Sequence, residues 1–416
     1  MKILIAAAGS YGDVAPYTGL GARLREAGHS VALAADNSYT RLVRAAGLEF
    51  RALPADPRRE EGAAPGGKRE LMRRAAAFVR ELGPGIAGAA APGTELLLLS
   101  ATTAPLGRHV AEALGIPALD LPLQPNAPTA AFPPVVTGTR SLGRWGNRAA
   151  GRLSLRIVDR LYADGVRDLR ARLGLPPASA RALRRRRNAD SRPVLHGVSP
   201  ALVPRPADWR PGLELVGNWW PYTAPDATLP SELEDFLAAG PPPVFVGFGS
   251  MAAGGRDGRD GEGSERLAAT VVAALRRAKV RGVIQSGWAG LAGPADGADI
   301  LTVGEVPHTL LFPRTAAVVH HAGAGTTAAA LRAGVPAVPV PVTADQPFWA
   351  ARLAAVGAGT GAVPFRALAA ENAVDHLAEA IGRAVREPSY RDAARAVARR
   401  MEAEDGADAV IKVVGG

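Results

Sequence analysis

Residues 320–346 confine this chain to an α/β architecture. They begin with His320-His321-Ala322-Gly323-Ala324-Gly325-Thr326-Thr327 and end at Asp345-Gln346. Val318 and Val319 close an apolar strand. Gly323 and Gly325 allow a turn in which backbone amides face a ligand with no Cβ in the way. Thr326 and Thr327 are expected to cap the helix that runs to Arg332. Gly334-Val335-Pro336 stops that helix and a further strand follows. The free N–H groups and dipole of a helix N-terminus favour an anion, so a phosphate fits there. His321 adds a side-chain donor beside it. Asp345 and Gln346 present an acid and an amide, a pair suited to hydroxyl groups. Diphosphate at one end and hydroxyls at the other describe a sugar nucleotide.

The rest of the chain repeats the strand–helix rhythm twice. In the first half, Lys2–Ala7, Ser30–Ala35, Glu95–Ser100 and Ala118–Leu121 read as strands. Pro16–Ala27, Ser38–Ala46 and Pro105–Leu114 read as helices between them. Pro193–Val198 and Leu213–Val216 read as the last strands of this half. Pro221–Ser231 reads as a linker, and Ser231–Ala238 as a helix with Ser231 as N-cap and Glu234 as its capping-box partner. The second series has strands at Pro243–Phe248, Gly282–Gln285, Ile300–Val303, Ala316–His320 and Ala337–Val340. Its helices lie at Glu265–Arg277, Ala373–Val385 and Tyr390–Glu402. Such units predict parallel sheets with right-handed crossovers. Arg58–Arg80 and Pro125–Arg148, rich in Arg, Pro and Gly, read as long loops. Gly254–Ser264 reads as a disordered insert.

At 416 residues the chain exceeds the usual size of one core, so two domains are expected. The reading places them at 1–217 and 218–395, with 396–416 as a closing helix. Cysteine is absent, which removes disulfide and thiolate chemistry and fits a cytoplasmic protein. Met1–Ala8 mimics a signal peptide, but Gly9, Ser10, Gly12 and Asp13 break the apolar run at once, so it reads as the first strand. No run approaches the ~20 apolar residues that span a bilayer. Net charge is +10 and the surplus is mainly arginine. A basic surface can attract nucleic acid or anionic lipid. The densest run, Arg181 to Arg187, lacks interleaved aromatics and reads as a solvated loop, which argues against a nucleic-acid partner.

The segment 320–346 closely resembles the donor-binding signature of nucleotide-sugar glycosyltransferases. It is similar above all to bacterial enzymes that glycosylate antibiotics and other secondary metabolites, and to sterol glucosyltransferases. The resemblance covers essentially the whole chain and implies the GT-B fold: two Rossmann-like α/β lobes with parallel sheets and a cleft between them. The N-terminal lobe would hold the acceptor and the C-terminal lobe the donor, and the last helix would cross back to the first lobe.

The resemblance also assigns roles. Many members carry a Gly-His-Val-x-Pro stretch after the first strand, with histidine as general base. Here Ser10-Tyr11-Gly12-Asp13-Val14-Ala15-Pro16 puts Asp13 in that slot, with Ser10 and Gly12 on the acceptor side. Asp13 is therefore either the base or the N-cap of the helix beginning near Val14, and the roles are compatible. His321, Gly323, Gly325, Thr326 and Ser250 are expected at the donor diphosphate. Val306 and Trp288 are expected at the base, Val306 through its main chain and Trp288 either there or as core packing. Asp345 and Gln346 are expected at the donor sugar, unless Asp345 caps the following helix. His320 points away from His321 and reads as structural, and His308 reads as a helix cap. Ala329 stands where plant members carry a glutamate on the ribose hydroxyls, which favours a dTDP-sugar over a UDP-sugar. Asp120 takes no role. No metal or cofactor is expected, since Asp257 and Asp260 fall in the insert. The expected reaction is inverting transfer from a nucleoside-diphosphate sugar to a small-molecule hydroxyl. An epimerase of the same fold and an inactive sugar-nucleotide-binding partner stay as alternatives, and a homodimer stays open.

Overall fold

Strands β1 Lys2–Ala6, β2 Ser30–Asp36, β3 Glu49–Leu53, β4 Leu96–Leu99, β5 Ala118–Asp120, β6 Val194–His196 and β7 Leu213–Leu215 form one sheet. Its order is β3-β2-β1-β4-β5-β6-β7, and every pairing is parallel. Strands β8 Val244–Gly247, β9 Gly282–Gln285, β10 Ile300–Val303, β11 Ala317–His320 and β12 Ala337–Pro339 form the other, in the order β10-β9-β8-β11-β12, again parallel. This computed structural model describes residues 1–56, 68–90, 92–189, 191–249, 260–286 and 298–415.

The central strands are buried on both faces, as in parallel sheets wrapped by helices, while the edge strand β3 is largely open. All four leucines of β4 and all four residues of β11 are buried. Separate apolar clusters line the two faces of each sheet. A further cluster joins the halves: Val198, Leu202 and Trp209 pack with Phe348, Trp349 and Leu353. Arg352 reinforces that seam by donating to the Leu202 carbonyl from Nε at 2.9 Å and from an η nitrogen at 2.7 Å. The last helix, Gly406–Gly415, lies on the first half: Ala407 and Val410 sit in the core with Ile3, Tyr17 and Leu20.

Each sheet has one place where its order reverses direction. In the first it lies between β1 and β4, and in the second between β8 and β11. Connections leave such a point on opposite faces of the sheet, opening a crevice at the strands' carboxyl ends where ligands bind. Ser10–Asp13 follows β1, and His321–Thr326 follows β11.

Several sequence expectations need correction. Lys68–Ala89 is a helix, so the loop expected over Arg58–Arg80 gives way to helix from Lys68 onward. Gly143–Arg172 is a helix of 30 residues that takes over the end of the loop expected at Pro125–Arg148. The basic run Arg181–Arg187 is helical within Ala180–Ala189, since Arg and Ala both favour helix. The helix starting at Asp260 begins inside the insert read as disordered. The first helix starts at Tyr11, not Pro16, with Pro16 inside it. The helix Ser231–Ala238 takes Pro230 as N-cap, so Ser231 is its first residue and no capping box forms there. Glu49–Leu53 adds a strand the alternation did not reveal, since only Leu53 of its residues is fully buried.

Candidate donor and acceptor site

At the first switch point the chain turns through Gly9, whose φ of +137° is closed to residues with a Cβ. A Cβ there would also meet Asp13 Oδ2 at 2.5 Å. Ser10 is the N-cap of the helix Tyr11–Glu26, which makes Asp13 its third residue. The Ser10 backbone N–H and hydroxyl both donate to Asp13 Oδ2, each at 2.8 Å. Asp13 is thus not itself the N-cap; its carboxylate reaches back to the cap residue and is held in one orientation. One turn further on, Tyr17 is fully buried, its hydroxyl donating to the Leu121 carbonyl. Burial first, and the Asp13 charge second, push the Tyr17 pKa well above its usual value. Asp120, at the end of β5, is engaged by Arg108, whose Nε donates at 3.0 Å.

At the second switch point the helix Ala324–Arg332 takes Gly323 as N-cap, so Thr326 and Thr327 lie inside it rather than capping it. Thr327 N–H already closes on the Gly323 carbonyl at 2.9 Å. The amides of Gly325 and Thr326 belong to the first turn, where the helix itself supplies no acceptor. The His321 ring is wedged between two glycines. A Cβ on Gly249 would meet Cε1 at 2.9 Å, and one on Gly323 would meet Nε2 at 2.4 Å. A Cβ on Gly325 would meet nothing within 4 Å, so the fold alone does not demand glycine there. Among the described residues, His321 Nδ1 is buried without a hydrogen-bond partner, as are His320 Nε2 and Thr327 Oγ1. Burial pushes the His321 pKa down to about 4, so the ring is neutral near pH 7.

His320 faces away from His321, and its Nδ1 accepts from the Ala322 N–H at 3.1 Å. Ala322 itself has φ +60°, and Ala344, just before Asp345, has φ +55°. Left-handed alanines cost energy, and such residues concentrate at ligand sites. His308 is the first residue of the helix His308–Leu311, whose N-cap is Pro307. It is therefore not the cap; its ring stacks on Phe312 at 4.3 Å. Val306 is buried against Leu233, Leu311 and Phe312. Ser250 and Trp288 lie outside the described residues. Among the described residues no cluster of three or more His, Cys, Asp or Glu could hold a metal ion.

The two halves meet at Asp345, in the turn after β12. Its Oδ2 accepts from Gln124 Nε2 of the first half at 2.7 Å and from Trp349 Nε1 at 2.6 Å. Burial, and to a lesser degree the Asp13 charge, raise the Asp345 pKa. Asp345 is the N-cap residue of the helix Gln346–Ala355 but makes no cap bond with its side chain. Gln346 Oε1 accepts from the N–H groups of Val342 at 2.8 Å and Thr343 at 3.0 Å, which fixes the loop before it.

Comparison with known proteins bears on this geometry. Residues 3–133 match the glycosyltransferase family 28 N-terminal domain, and residues 295–414 match the erythromycin biosynthesis protein CIII-like C-terminal domain. The chain is 36% identical to O-mycaminosyltylonolide 6-deoxyallosyltransferase of Streptomyces fradiae, over 98% of its own length and 95% of that protein's. It belongs to the natural-product and sterol glycosyltransferases. It is also 34% identical to dTDP-epi-vancosaminyltransferase of Amycolatopsis orientalis, over 88% of itself and 87% of that enzyme. A sterol 3-beta-glucosyltransferase of Arabidopsis thaliana is 33% identical over 99% of this chain, which spans 65% of that protein's length. The solved kitacinnamycin glycotransferase shares the fold, with a TM-score of 0.72 at 19% identity, over 100% of this chain and 98% of that one. A Streptomyces glycosyltransferase complexed with thymidine diphosphate gives 0.63 at 22%, over 100% and 99%.

For this glycosyltransferase three residues around Asp13 and Asp345 escape sequence reasoning: Gly9 shapes the turn under Asp13, and Gln124 and Trp349 hold Asp345. Gly249, in the glycine turn Gly247-Phe248-Gly249-Ser250 that the sequence does mark, makes room for His321. Trp349 alone had a local signal, standing four residues after Asp345 on one helix face. Gln124 meets Asp345 only once both lobes are folded.

Proposed function

We propose that this glycosyltransferase moves a sugar from a nucleoside diphosphate, dTDP in preference to UDP, to a hydroxyl of a lipophilic secondary metabolite, with inversion at the anomeric carbon. Asp13 takes the proton of the acceptor hydroxyl. That oxygen bonds to the anomeric carbon as the carbon–oxygen bond to the β-phosphate breaks, and the electron pair leaves on the diphosphate. His321 and the amides of Gly325 and Thr326 receive that charge, as preorganised donors do in a site shielded from water. Asp345 and the amide of Gln346 hold sugar hydroxyls, and the Val306 main chain meets the base.

The observation that carries this reading is the convergence at Asp345. It is tied to Gln124 of the first half and feels the charge of Asp13. An acid of the front lobe and a sugar-side acid of the back lobe thus share one cleft. The dTDP preference draws support from Ala329, which packs against an apolar cluster where a ribose-binding carboxylate would otherwise sit. The thymidine diphosphate complex of a fold neighbour agrees with it.

The test is incubation with dTDP- and UDP-sugars of known anomeric configuration, with and without a panel of hydroxylated aglycones, followed by NMR of the product. The expected product is the inverted glycoside, formed faster from the dTDP donor. Retention of configuration would overturn the mechanism. An epimerised donor formed without acceptor would point to an epimerase instead.

A further inference from the structure

The outer face of the helix Gly143–Arg172 carries a pattern that sugar transfer does not use. Among the described residues, six of the eleven exposed large apolar side chains fall between positions 136 and 158: Val136, Leu142, Trp145, Leu153, Ile157 and Val158. Trp145 is 89% exposed, Ile157 and Leu142 59% each, and Leu153 56%. The remaining five are scattered over the chain. Trp145, Leu153 and Ile157 recur at steps of eight and four, so they share one helix face. The opposite face is buried through Asn147, Gly151, Tyr162 and Val166, which pack on the first lobe.

Arginines run beside this apolar stripe. Arg140, Arg144, Arg148, Arg152, Arg156 and Arg160 follow at steps of four. Arg148 lies 3.7 Å from Asp208, whereas no ion pair is formed by the other five among the described residues. Asp159 is the one acid between residues 136 and 160, and it is engaged by Arg184 at 2.8 Å. A solvated face would not need a tryptophan standing almost wholly in water. One sign of charge beside an apolar stripe complements a surface that is negative outside and apolar just beneath.

We propose that this face, from Leu142 to Arg160, docks on an anionic membrane surface. The arginines meet lipid phosphates, while Trp145, Leu153 and Ile157 enter the boundary between headgroups and acyl chains. A helix with a basic polar face and Trp and Leu on the other lies in that plane. Interfacial tryptophan, apolar in body and with one N–H donor, suits that depth. The chain that leads from β5 into this helix carries Gln124, which contacts Asp345, and Asn147 of the helix donates to the Ala130 carbonyl of that same stretch, so docking brings the acceptor side of the first lobe to the lipid. The proposal deepens the reading of a lipophilic acceptor.

The test is flotation of the full chain with phosphatidylcholine vesicles, with and without phosphatidylglycerol, at low and high salt. The chain is expected to float with the anionic vesicles at low salt, with its tryptophan emission shifted to the blue. The triple variant R152Q/R156Q/R160Q should bind roughly a hundredfold more weakly, since each arginine near a charged surface contributes about fivefold. W145F should lose most of the emission shift. L153S/I157S should release the chain from vesicles while its melting temperature stays unchanged. Equal binding to both vesicle types, no binding at all, or a chain that self-associates through Leu153 and Ile157 instead would overturn the proposal. Vesicle binding is read without any transfer, so a failed glycosylation assay leaves this outcome distinguishable.

Discussion

The two switch-point turns use similar parts to opposite ends. In the front lobe the turn after β1 is saturated locally: Gly9 fits around Asp13, and Ser10 binds one carboxylate oxygen twice. In the back lobe the turn after β11 leaves its polar groups unsatisfied: His321 Nδ1 and Thr327 Oγ1 are buried without partners, and open space lies beyond Gly325. A buried polar atom without a partner costs about 1–3 kcal/mol, a cost that a bound ligand group would remove. In the proposed reading, the back turn takes the diphosphate. The front turn, whose contacts fix the direction of one acid, supplies the base.

Removing the front acid should therefore cost rate and little else. Asp13→Asn keeps an oxygen for Ser10 but cannot take a proton, and we expect kcat to fall about a thousandfold with donor affinity unchanged. Turnover within twofold of wild type would end the base assignment. Removing the back donor should cost both. His321→Ala takes the ring from between Gly249 and Gly323, and we expect about a hundredfold loss in kcat, with weaker binding of dTDP. Equal dTDP affinity in the variant, measured by calorimetry, would break the contrast. Gly325→Val sharpens it from the other side. Among the described residues nothing lies within 4 Å of a Cβ at this position, so melting should move little, whereas the dTDP dissociation constant should rise at least about tenfold, a loss of about 1.4 kcal/mol. A large drop in melting temperature with dTDP binding intact would show that Gly325 serves the fold instead.

The unsatisfied character of the back lobe should also appear on acidification. Burial holds His308 and His321 at about 4 and His320 well below its usual value. In the unfolded chain these rings take up protons near ~6.5. The folded chain does not follow until near 4. Falling pH between these limits favours the unfolded chain, so the melting temperature should drop across that window. Bound dTDP should soften the drop, because a diphosphate beside His321 favours its charged form. His321→Gln should flatten both the slope and the effect of dTDP, which scanning fluorimetry over pH would read.

How far the sequence carried this picture follows from the range of the interactions involved. The placement of Gly323, Gly325, Thr326 and Asp345 at the turns after β11 and β12 was legible because local turn chemistry and strand–helix alternation set it. Helix caps were misplaced because two threonines after a glycine turn do not show whether the chain enters the helix at Gly323 or later. The helices from Lys68 and from Gly143 were hidden by glycine and proline within them, outweighed by packing: Gly165 and Val79 meet so closely that a Cβ would come within 2.8 Å. The left-handed alanines at 322 and 344 carry no signal in composition, since alanine there is held by tertiary context.

Gln124 offers the smallest and most specific test of the comparison, because there the front lobe donates a hydrogen bond to an acid of the back lobe. Its amide donates to Asp345 Oδ2, and Trp349 donates to the same oxygen. Both bonds favour the charged carboxylate and oppose the upward push of burial and of the Asp13 charge. Gln124→Ala removes one of the two, so the Asp345 pKa should rise further and the acidic limb of the pH–rate profile should move to higher pH. Losing one hydrogen bond to a charged group corresponds to about fivefold or more in kcat/KM for donor. The seam itself should survive, since Phe132 still packs on Phe348 and Arg352 still holds Leu202. A change in kcat/KM with an unmoved acidic limb would mean that Gln124 sets the distance between the lobes. A moved limb would mean that the front lobe tunes the acid on which the back lobe relies to hold the sugar.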